Sequence, residues 1–234
     1  MSTNNSFINQ ATQFVIVGFI AASCIQIFSN AMQINLLNDY FVRELYSEEA
    51  FSVLADKNDV RSGLLSGVWV LFLFLSFFII GGWFYVSAKQ NQSSAVKNLS
   101  VTPGWAVGWF FIPFANLVMP YRALKEIYKA SFNNAEWEQN PIPHYFPVWW
   151  ATWIVTNVVS NIQSKMDSSL GDSYTFQQLN DVSYVAIVSN ATGIVSAYFL
   201  LKIVVAVAKN QNEQILQTAQ SEMARREVCL VPQR

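Results

Sequence analysis

Pro103-Gly-Trp-Ala-Val-Gly-Trp-Phe-Phe-Ile-Pro-Phe-Ala-Asn-Leu-Val-Met-Pro120 is apolar and uncharged, yet proline interrupts it at Pro103, Pro113 and Pro120. A proline inside a helix removes a backbone donor and clashes with the preceding turn. In hydrocarbon, the backbone groups so freed must find protein or water. The stretch is therefore expected to be a broken, re-entrant segment over 103–120 rather than a straight crossing. An amphipathic helix over 121–131 is expected to follow. It sets Tyr121, Leu124, Ile127 and Tyr128 on one face, and Arg122, Lys125, Glu126 and Lys129 on the other.

The rest of the chain explains why an apolar segment is tolerated. Of 234 residues, 53% are hydrophobic and only 12% charged, against about 25% charged in soluble domains. Apolar runs near the ~20 residues that span a bilayer recur. They predict transmembrane helices at about 14–34, 63–88, 145–164 and 184–208. The expected fold is all-α: a single polytopic membrane helix bundle with four spans, the re-entrant segment and the interfacial helix. A helix over 209–228 extends into the cytoplasm. A signal peptide is the competing reading of the first run, but no Lys or Arg precedes it. Residues 38–61, 133–143 and 165–181 are expected to be loops, with a short surface helix at Tyr40 to Leu54. The carboxylates of 38–61 lack the spacing of a calcium loop and are taken as a solvated face.

The central region resembles the signature of DUF4328, a family of bacterial membrane proteins named as a domain of unknown function. The resemblance rests on Trp83, Asn91, Pro103 to Trp109, Phe111 to Leu117, Pro120, Tyr121, Glu126, Ile127, Tyr128, Ala130 and Ser131. It covers about 50 residues closely. The stretch after the second helix, Arg-rich in the family, holds only Lys89 and Lys97 here. The resemblance implies a bacterial inner-membrane helical fold and no known chemistry. It also implies that Glu126 docks onto the end of a span.

Charge counting gives an orientation. With four spans, nine cations (Lys89, Lys97, Arg122, Lys125, Lys129, Lys209, Arg225, Arg226 and Arg234) share the side of the termini, and Arg43, Lys57, Arg61 and Lys165 lie opposite. Both termini are then cytoplasmic. A fully crossing 103–120 with an outside N-terminus gives ten against three, so the prolines, not the charges, favour four spans.

The motif residues are Pro103, Gly104, Trp105, Gly108, Trp109, Pro113, Asn116, Pro120, Tyr121 and Glu126. Gly104 and Gly108 would admit a close helix neighbour. Trp105, Trp109, Phe110 and Phe111 anchor a re-entrant turn or, on the sharper reading, line a pocket for a lipid or quinone-like ring. Asn116 is expected to satisfy backbone groups freed by the prolines. Glu126 has the spacing to pair with Arg122 and Lys129. Trp149, Trp150 and Trp153 read as an interfacial belt. The stripe Thr152, Thr156, Asn157, Ser160, Asn161 and Ser164 should turn inward. Asn116, Asn157 and Asn161 together would make a polar path. Lys202 is expected to snorkel.

No reactive constellation is visible. His144 is the only histidine, Cys24 and Cys229 are the only cysteines, and the four predicted spans hold no Asp or Glu. No catalytic residue, cofactor or metal is expected, nor is nucleic-acid binding. The leading expectation is a non-enzymatic scaffold, accessory subunit or homo-oligomer. Its partners would be membrane lipids and copies of itself or other membrane-protein chains. A small channel or carrier is the alternative. A lipid- or quinone-handling enzyme, resting on the aromatic cluster alone, is the weakest.

Overall fold

The computed structural model describes residues 2–94, 96–132, 136–170 and 175–230; side chains at 2–4, 222 and 224–230 are not described. The predicted loops 133–143 and 165–181 fall partly outside the described residues, as do the side chains of Arg225, Arg226, Cys229 and Arg234. All regular structure among the described residues is helical: α1 (Ser2–Phe41), α2 (Glu48–Ser93), α3 (Pro103–Gly108), α4 (Met119–Ala130), α5 (Tyr145–Ser169) and α6 (Phe176–Leu230), with short 3-10 turns at Trp109–Phe111, Ala115–Leu117 and Trp137–Gln139.

Among the described residues, three helices are long and apolar enough to cross a membrane: Asn5–Phe41, Glu48–Ser93 and Phe176–Ser221. The sequence expectation was four. The 25 residues of α5 reach about 37 Å at 1.5 Å per residue, enough length for a crossing. Its Thr, Asn and Ser stripe is what dilutes its apolarity. The helices also overrun the expected spans. The loop expected at 38–61 shrinks to residues 42–47, and the break falls inside the short helix expected at 40–54. Residues 48–61 are charged but helical: Ser47 Oγ accepts from Ala50 N at 3.3 Å as a cap, and Glu48 and Glu49 meet the positive end of the helix dipole. Hydropathy alone does not separate a polar helix from a loop.

The chain forms two compact units. The first comprises residues 1–13, 79–146 and 201–234; the second comprises 14–78 and 147–200. In the second unit, α1 and α2 run antiparallel along a hydrogen-bonded seam. Trp69 Nε1 donates to Ser23 Oγ at 3.1 Å, Gln26 Nε2 donates to Ser66 Oγ at 3.0 Å, and the Ser29 and Ser62 hydroxyls lie 3.4 Å apart. Arg61 closes the seam, donating to Ser29 O at 3.1 Å and Asn58 Oδ1 at 2.5 Å. Interhelical bonds of this kind contribute about 0.6 kcal/mol each in a membrane.

The close approach in this seam is made at Gly18. A Cβ there would overlap the Phe72 ring at Cε1. Gly18→Ala is therefore expected to displace the Phe72 ring and cost about 1–3 kcal/mol, the usual range for overpacking. Adding Phe72→Leu to the same chain should recover most of the loss. Thermal unfolding of the two variants in detergent measures both.

The α5–α6 pairing in this unit runs through two small residues of α6, Ser189 and Gly193. The Ser160 and Ser189 hydroxyls are 2.7 Å apart, and Thr156 Cγ2 lies 3.6 Å from a Cβ built on Gly193. The rest of the stripe behaves differently from expectation. Asn157 and Asn161 are exposed, their amides bonded back to Trp153 O at 2.8 Å and Asn157 O at 2.7 Å. The Trp belt is largely turned inward: Trp149 and Trp150 are buried, and Trp153 stacks on Trp150 at 4.6 Å.

Candidate functional site

The proline-broken segment belongs to the first unit, and each proline stands where a helix starts or stops. Thr102 caps α3, its Oγ1 accepting from Trp105 N at 3.4 Å, with Pro103 in the first helical positions. That position requires no N–H donor. Ile112, forced out of helical geometry by Pro113, is extended at φ −100°. Phe114 then adopts φ 65°, ψ −45°, and Ala115 N donates to Pro113 O at 2.8 Å. This is a γ-turn of the rare positive-φ kind. Pro120 opens α4.

The segment is held by α2. Val107 Cγ1 lies 3.7 Å from a Cβ built on Gly81, and Phe110 meets Phe84 edge to face at 5.3 Å. The aromatic rings pack on one another rather than opening a slot: Trp105 stacks on Trp109 at 4.5 Å. The two motif glycines are not used as expected. Nothing lies within 4 Å of a Cβ at Gly104, and at Gly108 the neighbour is the ring of Trp105 from its own turn. Phe114 is 84% exposed.

The buried face of α4 comprises Pro120, Ala123, Leu124, Ile127, Tyr128 and Ala130. The last turn of α4, where Ile127 O and Tyr128 O also accept from Ser131 N at 3.1 and 3.2 Å, is gripped by amides from α2 and α6. Asn91 Nδ2 donates to Ile127 O at 2.9 Å. Gln214 Nε2 donates to Ser131 O, and at 3.5 Å to Ala130 O. Asn210 Nδ2 donates to Ser131 Oγ at 2.9 Å, and Ser131 Oγ donates to Tyr128 O at 2.6 Å. Behind them, Gln211 Nε2 donates to Asn91 Oδ1 at 2.9 Å and Ser87 O at 3.1 Å. Burial, then the nearby Tyr145, pushes the Tyr128 hydroxyl above the usual phenol range, so it stays neutral.

Glu126 does something its helical neighbours do not suggest. Its carboxylate accepts from Ser100 N at 3.0 Å, Val101 N at 2.8 Å and the Ser100 hydroxyl. It thereby fixes the linker that leads into α3. The expected pairing with Arg122 and Lys129 is not formed; Lys129 Nζ donates instead to Glu138 O at 2.6 Å. Nor does Glu126 dock on the end of a span, as the resemblance implied. Glu126→Ala is expected to cost about 1–2 kcal/mol, as for charge-assisted bonds near solvent. Trypsin should then cut after Lys97 several times faster; an unchanged cleavage rate would show that the linker is held by something else.

The remaining motif residues are placed as follows. Tyr121 is half-buried on α4. The Asn116 side-chain oxygen is buried and unpartnered among the described residues, so it does not satisfy backbone groups as expected. Asn116 falls in the first unit, and Asn157 and Asn161 in the second. His144 is exposed and edge-on to Tyr145. Lys202 Nζ sits 5.0 Å from the centre of the Tyr145 ring, a cation–π distance. The features that sequence reasoning missed are the amides Asn210, Gln211 and Gln214, which sit in a stretch read only as a polar helix.

Neither the curated proteins nor the solved structures offer a match to this chain. The sequence model of DUF4328, a domain of unknown function, matches residues 49–209. That range holds most of α2, the broken segment, α4, α5 and the apolar part of α6; α1 and Asn210 to Gln214 lie outside it. With most of its length matched, the chain belongs to the DUF4328 family.

Proposed function

We propose that this chain is a non-enzymatic integral membrane protein that works through assembly, as a scaffold, accessory subunit or homo-oligomer. The observation that carries this reading is the surface of α2. Between Asn58 and Ser76 no residue of α2 is buried, and Leu64, Leu71 and Phe74 are all exposed. This is the most apolar part of the chain, and it is left for lipid or another chain to cover. The exposed Asn157 and Asn161 on α5 add to the case, because amides are costly against lipid and a neighbouring chain would cover them.

In this proposal α5 is the fourth span, 103–120 enters one leaflet and returns, and both termini are cytoplasmic in a bacterial inner membrane. The packing of Val107 on Gly81 and Phe110 on Phe84 supports the re-entrant part. Those α2 residues stand eight and five positions before Lys89, or about 12 and 8 Å by helical rise. The partners are membrane lipids and other copies or membrane chains. The test is a Phe74→Cys substitution in a Cys24→Ser, Cys229→Ser chain, oxidised in native membranes. A disulfide-linked dimer supports a homo-oligomer. A monodisperse monomer after mild solubilisation, with no dimer and nothing co-purifying, would overturn the reading.

The exposed polar face of α5 favours one second reading, a small channel or carrier with a path along Asn157 and Asn161. Liposome flux that Asn157→Ala and Asn161→Ala leave unchanged removes it.

A further inference from the structure

The outward stripe of α4 and the tip before it combine two features. Val118, Arg122, Lys125 and Lys129 recur at spacings of four and three, which sets them along one face. The buried residues of α4 occupy the opposite side. Ahead of the stripe, Phe114 and Val118 are exposed apolar side chains, and the positive-φ turn at Phe114 is what sends the chain round at that point. A non-glycine residue held at positive φ is a strained arrangement.

Arg122, Lys125 and Lys129 face a single acid on α4, so the helix carries a net positive charge. Glu126, the only acid on α4, is occupied by the linker N–H groups of Ser100 and Val101. Among the described residues, Arg122 and Lys125 make no ion pair; the pairs found there are Arg43 with Asp39 and Lys209 with Glu213. The acid on the neighbouring turn Trp137–Gln139 is Glu138, and it is its backbone oxygen that takes Lys129. Two cations without an ion pair, Arg122 and Lys125, bordering an apolar tip make the pattern that recognises an anionic lipid surface: the tip enters the acyl boundary and the cations meet the head-group phosphates.

We propose that the α3–α4 corner, through Arg122 and Lys125 beside Phe114 and Val118, is a docking surface for anionic phospholipid of the surrounding bilayer. The proposal rests on the reading that 103–120 enters the membrane. Each cation near a charged surface contributes about fivefold in association, so the pair should give a preference of about 25-fold for anionic over zwitterionic lipid.

The test uses the full chain with Cys24→Ser, Cys229→Ser and Val118→Cys, labelled with bimane and reconstituted in vesicles. Brominated phosphatidylglycerol and brominated phosphatidylcholine, at equal mole fraction, serve as quenchers. Phosphatidylglycerol should quench preferentially. Arg122→Gln with Lys125→Gln should bring the preference close to one, and Arg122→Lys with Lys125→Arg should retain it. Raising the salt to about 1 M, where screening acts within ~3 Å, should weaken it. Equal quenching by both lipids in the unsubstituted stripe overturns the proposal and leaves membrane entry standing. Quenching by neither overturns membrane entry, and the proposal with it.

Discussion

Trp83→Ala should cost about 3–5 kcal/mol, the range for emptying a fully buried large aromatic site. Trp83 is 0% exposed. Its ring meets Phe84 edge to face at 5.6 Å, and its Nε1 donates to the buried Asn9 Oδ1 at 2.8 Å. The size and the hydrogen bond are separable. Trp83→Phe keeps most of the volume but leaves Asn9 with a buried, unpaired oxygen, which costs about 1–3 kcal/mol. Adding Asn9→Ala to Trp83→Phe should recover part of that loss. Unfolding followed by circular dichroism in a fixed detergent gives all three values. A Trp83→Ala chain within about 1 kcal/mol of the parent contradicts the packing described.

The second large effect is expected in the amide network. Asn91 is 1% exposed and serves two partners at once: it donates to Ile127 O and accepts from Gln211 Nε2. Asn91→Leu leaves the Gln211 amide short of an acceptor in a buried site, at a cost of about 2–4 kcal/mol once the lost bond and the stranded group are both counted. Gln211→Leu should cost a similar amount. Together they should cost clearly less than the sum, because removing both partners strands less than removing one. The coupling expected from such a cycle is about 1–2 kcal/mol, within the range for residues of one network. Strict additivity would show that the two side chains act independently.

How much of this was legible beforehand depends on the range of the interaction. Proline acts on its own backbone and on the residue before it, so Pro103, Pro113 and Pro120 announced a broken segment, and the breaks fall at them. The amphipathic helix was equally local. Glu126 was read through its neighbours three and four residues away, whereas its actual partners, Ser100 and Val101, are 26 and 25 residues distant. No periodicity reports such a contact. Glycine was misjudged for the same reason. Gly104 and Gly108 have the spacing of a helix contact and meet no neighbouring helix, while Gly18, unremarked in an aliphatic run, lies under the Phe72 ring. Polarity alone sets residues 38–61 apart as a loop with a separate short helix at 40–54, whereas the Ser47 cap and the acids Glu48 and Glu49 start a helix that runs on unbroken. The family itself was legible from the central motif, and the match over residues 49–209 establishes it.

The grip on the end of α4 consists of carboxamides, hydroxyls and main-chain carbonyls, contributed by Asn91, Ser131, Asn210, Gln211 and Gln214. None of these groups gains or loses a proton in the range a cell experiences, and none carries a net charge for ions to shield. The joint therefore keeps its strength when acidity or ionic strength changes around it. Its tightness is set by shape and hydration alone.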